Sequence, residues 1–197
     1  PGRRMTSEAA GEVGLGKKLL LCAELLGNEA CGSYAQLYSI PILQTLGMPL
    51  KLAPLTGVVS GVTTAISMPL FGWLSDGGSN PHRRKVFAVV LSTGLMVMGL
   101  ACVIFACVLH VKLHGGESTH EEIPFIAWLA MAGFIVFEIG YDNSNCFVRA
   151  WMLTCSPRSE HTTLLVLGLV MASAGGVSMA LLGMVDFSSL LEKLFQG

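Results

Sequence analysis

Five long apolar runs, separated by short polar segments, dominate the chain. The first covers 18–40 and is closed by Pro41; a turn at Gly47-Met48-Pro49 leads to the second, 52–74. A polar, basic stretch at 75–85 precedes the third run, 86–110, and a hydrophilic loop at 111–122 precedes the fourth, 124–155. Ser156-Pro157-Arg158 makes a tight connection to the fifth, 162–185. Each run supplies the roughly 20 residues needed to cross about 30 Å of hydrocarbon at about 1.5 Å per residue. Backbone groups in lipid must be bonded within their own segment, so each run is expected to be a helix. A soluble bundle would need polar faces that the second, third and fifth runs lack. The expected fold is therefore an all-α membrane protein with five transmembrane helices.

Composition agrees. Of 197 residues 52% are hydrophobic and 13% are charged, where a soluble domain carries about 25% charged residues. The net charge of −1 leaves no basic footprint for nucleic acid. Cys22, Cys31, Cys102, Cys107, Cys146 and Cys155 all fall in or at the ends of apolar runs, without zinc-ligand spacing, and read as small buried thiols. Arg3, Arg4, Lys17 and Lys18 precede the first run in the manner of a signal peptide. That run contains Glu24, Asn28 and Glu29 and no clear small-residue cleavage site, so it reads as a retained span. Residues 1–17 are expected to be a mobile cytoplasmic tail, 18–186 the helical bundle, and 187–197 a weakly amphipathic outer tail. With the N-terminus inside, inner segments hold nine basic residues (Arg3, Arg4, Lys17, Lys18, Arg83, Arg84, Lys85, Arg149, Arg158) against three outside (Lys51, Lys112, Lys193), as the positive-inside rule favours. His114 and His120, among Glu117, Glu121 and Glu122, read as a solvated outer loop rather than a metal site.

The fourth run carries the strongest chemical signal. Glu138, Asp142, Asn145 and Arg149 recur at i, i+4, i+7 and i+11, which places them within about 60° of one helix face. Ionisable groups at membrane depth are tolerated where they face a cavity or a partner, and such stripes line substrate and ion paths. A carboxylate held away from water can bind and release a proton near neutral pH, and carboxylates with amides suit ligands rich in hydroxyls. The alternative for Arg149 is an anchor that snorkels to the interface. In the first run Glu29, Ser33 and Gln36 share a face at i, i+4 and i+7, with Glu29 at mid-span. Asp76 faces Arg83, Arg84 and Lys85 across a short loop, as a latch or as topology signals alone. Gly57 and Gly61, and Ala172, Gly175, Gly176 and Gly183, predict close helix contacts. No nucleophile, base and orienting group converge, no phosphate-cradling loop is present, and neither an enzyme nor a cofactor site is expected.

Several ordered motifs carry a resemblance. Gly27, Glu29, Pro41 and Leu46-Gly47-Met48-Pro49 come first; Pro69, Gly72, Ser75 and Asp76 follow, then Arg83-Arg84-Lys85. Glu138, Asp142 and Arg149-Ala150-Trp151 come next, then Gly175-Gly176, Gly183 and Asp186-Phe187. In this order and spacing, residues 26–187 resemble solute carrier family 45, animal relatives of plant sucrose–proton symporters in the major facilitator superfamily. Ala35 stands where that family has a second acidic residue, and Phe147 where it has proline. The resemblance implies an N-terminal six-helix bundle, here cut after five spans. It implies uptake of a sucrose- or glucose-like sugar driven by protons, with the C-terminal half of the transporter as the missing partner. By position, Glu138 and Arg149 would be the sugar- and proton-linked pair, with Asp142, Asn145, Glu29 and Gln36 beside them. Asp76, Arg83 and Arg84 would form a cytoplasmic gate. The protein would be multi-pass, in the plasma membrane or an acidic organelle. The rival expectation is a transporter-derived membrane protein that regulates or binds others without transporting.

Overall fold

The computed structural model describes residues 14–76, 81–114 and 125–184. These form five long helices: α1 (Leu15–Thr45), α2 (Leu55–Asp76), α3 (Pro81–His114), α4 (Phe125–Thr154) and α5 (His161–Gly183). A short 3-10 turn, Arg158–Glu160, leads into α5, and no strand occurs among the described residues. α2, α3, α4 and α5 are long and apolar enough to cross a membrane. α1 has the length, at 31 residues, but Lys17, Lys18, Glu24 and Glu29 keep it too polar to qualify on composition alone. The acidic part of that polarity turns toward the other helices, as the site geometry below makes plain.

The helices run further than the apolar pattern alone suggests. Pro41 lies inside α1 rather than closing it. Proline removes one N–H and crowds the carbonyl four residues back, yet within the last turns the helix continues to Thr45. The stop comes at Gly47, whose φ of 91° only glycine adopts without cost. Gly47 N–H donates to the Gln44 carbonyl and Met48 N–H to the Leu43 carbonyl, a Schellman closure in which Met48 and Leu43 are both buried in the core. The start of α1 at Leu15 also shortens the expected tail, of which 1–13 lie outside the described residues, as do 187–197, His120 and the three loop glutamates.

α4 is the centre of the bundle, contacting α1, α2, α3 and α5. Its closest neighbour is α3, and glycines make that approach possible. A Cβ on Gly99 would meet the Gly133 carbonyl at 2.6 Å, and one on Gly140 would meet the Ser92 carbonyl at 2.6 Å. α5 packs on α1 in the same way: a Cβ on Gly175 would collide with the Leu26 carbonyl, and one on Gly183 would lie 2.8 Å from the Tyr38 hydroxyl. The α5 glycines therefore pack as expected, whereas Gly57 and Gly61 do not. Both sit on an exposed stretch of α2, and nothing lies within 4 Å of a Cβ at either. The outer faces of α2, α3 and α5 expose Val58, Val62 and Ile66, then Ile104 and Phe105, then Val166 and Leu169. An apolar surface of that extent suits lipid, not water.

Candidate polar site between the first, second and fourth helices

Each half-turn of mid-α4 offers a polar group, and neighbouring helices meet most of them. Toward α1, the Tyr141 hydroxyl donates to Glu29 Oε2 at 2.8 Å, and Asn28 Nδ2 donates to Ser144 Oγ at 2.9 Å. Toward α2, Asn143 Nδ2 donates to Ser67 Oγ at 2.9 Å. Ser60 of α2, buried, donates to the Gly57 carbonyl at 3.1 Å and lies beside Glu138. Thr56, Ser60, Thr64 and Ser67 recur at i, i+4, i+8 and i+11, so α2 presents a ladder of hydroxyls on one face. The Oγ1 atoms of Thr56 and Thr64 are buried without a hydrogen-bond partner among the described residues.

Glu138, Asp142 and Asn145 are half-buried on one continuous helix, as their spacing requires. Glu138 and Asp142 are close enough for their charges to interact. Asn145 lies near the Tyr141 hydroxyl, and its Oδ1 is buried with no partner among the described residues. A buried amide oxygen without a donor costs about 1–3 kcal/mol, so the site has acceptor capacity to offer a ligand or water. Arg149 shares the stripe but not the cluster. It is exposed and forms no ion pair with Glu138 or Asp142. Eleven residues of helix separate it from Glu138, about 16 Å, and five separate it from the end of α4, about 8 Å. On α1, Glu29 joins α4 while Gln36 is exposed. At the other end of α2, Arg84 Nη1 reaches the Leu74 carbonyl at 3.5 Å and Arg83 is exposed; the side chain of Asp76 lies outside the described residues.

Tyr141, Ser60, Asn143 and the α2 hydroxyls escape sequence reasoning because such residues are ordinary in membrane helices. The signal that could have found the ladder is its i, i+4, i+8 repeat. Two cavities, of about 220 and 270 Å³, lie in a groove between α1 and α3. Cys31, Leu100 and Phe137 line both, and Glu24 and Asn28 line the larger. Glu24 is therefore half-buried against α3 rather than freely solvated.

No protein-family model matches the chain, and no solved structure matches it. Among curated proteins it is 27% identical over 167 residues to solute carrier family 45 member 4 of Mus musculus, and 26% identical to the Homo sapiens protein of that name. It is 21% identical to the human membrane-associated transporter protein. Each match covers 84% of this chain. The chain spans 21% of the length of the member 4 proteins and 31% of the third. An all-α membrane protein with a polar centre in its bundle, the chain is a homologue of the solute carrier family 45 proteins.

Proposed function

We propose that the chain forms part of a secondary transporter that moves a neutral, sucrose- or glucose-like sugar together with a proton, and that Glu138, Asp142, Asn145 and Glu29 line its path. The observation that carries this reading is the cluster at the middle of α4. Two half-buried carboxylates stand beside a buried, unpartnered amide oxygen in a helix otherwise apolar enough to cross a membrane. Carboxylates supply the proton sites, and the amide with the α2 hydroxyls supplies donors and acceptors for sugar hydroxyls. Arg149, exposed near the helix end, is assigned to the mouth of the path, and Gln36 to its α1 wall. Asp76 with Arg83 and Arg84 is assigned to the gate on the inner side. The relatives' names support membrane transport; sugar and proton are this reading's own addition.

Alternating access needs two halves rocking around a central site, so the test uses the full-length protein from the transcript that encodes this chain. Expressed in cells, it should take up radiolabelled sucrose or glucose faster as the outside is acidified. Glu138→Gln and Asp142→Asn should each bring uptake to background at unchanged surface expression. Uptake indifferent to pH and unharmed by both substitutions would remove the mechanism.

A further inference from the structure

The packing of the helices repeats itself, and the repeat leaves a place open. α1 packs on α5, and α4 packs on α2. Exchanging α1 with α4 and α2 with α5 therefore reproduces both contacts. Under that exchange α3, which packs on α4, is answered by a place against α1 that no described helix takes. The groove between α1 and α3 lies there. Its α1 wall is small: Gly27 and Cys31 are about one turn apart and exposed, and nothing lies within 4 Å of a Cβ at Gly27. On α4, by contrast, a Cβ on Gly140 would meet the α3 backbone. Small residues one turn apart let a second helix approach closely in lipid. Val97 and Leu100 of α3 form the opposite wall, and Phe137 of α4 the floor.

The groove is not apolar throughout. Glu24 and Thr93 line its inner end. Thr93 Oγ1 is buried without a partner, and Glu24 has neither an ion pair nor a hydrogen bond among the described residues. Glu24 stands nine residues beyond Leu15, about 14 Å along α1. A lipid tail offers neither donor nor charge, and a carboxylate at that depth is costly unless something pairs with it. We propose that the groove is the seat of a membrane-crossing helix that follows residue 197 in the full-length protein, and that this helix brings a lysine or arginine to Glu24. Length and direction suit it. The chain spans 21% of the member 4 proteins, whose sequences are far longer. α5 finishes at Gly183, at the end of the bundle away from the starts of α1 and α3, and Met179 lines the neighbouring end of the groove. A helix entering there runs antiparallel to α1 and α3. It meets Tyr34 first and the level of Glu24 ten residues of α1 further in, about 15 Å or three turns. The inference goes beyond the transport reading and needs neither its sugar nor its proton.

The test uses the full-length protein in cell membranes, with the photoreactive residue p-benzoylphenylalanine in place of Val97, which is exposed on the wall of the groove. Illumination should join position 97 to a peptide C-terminal to residue 197 of the same polypeptide, read by mass spectrometry. A link to lipid, to a second copy, to residues 1–197 or to nothing overturns the proposal. The linked helix should hold a lysine or arginine, and one without either overturns the pairing with Glu24. Glu24→Arg should then lower the unfolding temperature in detergent by several degrees, and glutamate at the partner's basic position should restore most of that loss. A loss left unrestored overturns the pairing. Should Glu24→Arg fail to fold, Glu24→Gln combined with glutamine at the basic position decides: the double variant should lose no more than either single one, and additive losses count against the pair. A protein that gives the link but moves no sugar removes the transport reading and leaves this one standing.

Discussion

At the scale of single residues, the glycines separate contact from open space. Gly32 exists to admit the Tyr141 ring, so Gly32→Ala must displace the ring, the Glu29 bond or α1 itself. Overpacking of that kind costs about 1–3 kcal/mol. Gly57 has nothing within 4 Å of its missing Cβ and lies inside α2; alanine there is expected to be neutral or to stabilise by up to about 1 kcal/mol through helix propensity. Thermal unfolding of the two variants in detergent, compared with the unmodified chain, checks both signs. A Gly57→Ala variant that loses as much as Gly32→Ala would place a neighbour on α2 that the bundle does not contain. The sequence makes Glu29, Glu138 and Asp142 conspicuous because charge in an apolar run is costly. It hides Tyr141 and Gly32, since a tyrosine and a glycine are unremarkable in a membrane helix and their meeting depends on how α1 crosses α4.

At the scale of helices, α4 was legible from its stripe, but its role as the hub was not. The stripe says which groups share a face, whereas the partners come from packing: Ser67 and Ser60 from α2, Asn28 and Glu29 from α1. Helix ends were legible to within a few residues because apolar runs stop where loops begin, and Pro41 misled because proline is tolerated where few bonds remain to lose. The beginning of α1 is fixed by a contact no pattern announces. Lys18 Nζ pairs with Glu160 Oε1 at 3.2 Å, and both side chains are largely buried. Removing one partner leaves the other charge poorly solvated, a larger loss than that of an exposed pair. Lys18→Ala and Glu160→Ala should each destabilise by about 1–3 kcal/mol, between the exposed and the fully buried case, and the exchanged pair Lys18→Glu with Glu160→Lys should recover part of that loss in the same unfolding assay. Single variants that unfold like the parent would mean that the pair contributes nothing to holding α1.

At the scale of the whole molecule, the ends of the helices sort by charge. Lys18 and Glu160 meet at one end of the bundle, where Lys85 at the start of α3 also donates to Thr154 at the end of α4 at 2.8 Å. Arg83, Arg84, Arg149 and Arg158 belong to the same end, because α3 begins there and α4 finishes there. Lys112 lies near the far end of α3, a helix of 34 residues, about 50 Å at 1.5 Å per residue and long enough to stand proud of the hydrocarbon on both sides. The positive-inside rule then orients the bundle with the crowded end toward the cytoplasm. α1 obeys the same orientation although it is the least apolar of the five, because Asn28 and Glu29 bond to α4 rather than face lipid. In a background with the native cysteines replaced, cysteine restored at 155, beside that basic end, should react with a membrane-impermeant maleimide only after cells are opened, while Lys112→Cys should react on intact cells. Labelling of both from one side would mean that α4 does not cross the bilayer opposite to α3. Glu138 and Asp142 would then lie outside the membrane, and the proposed path with them.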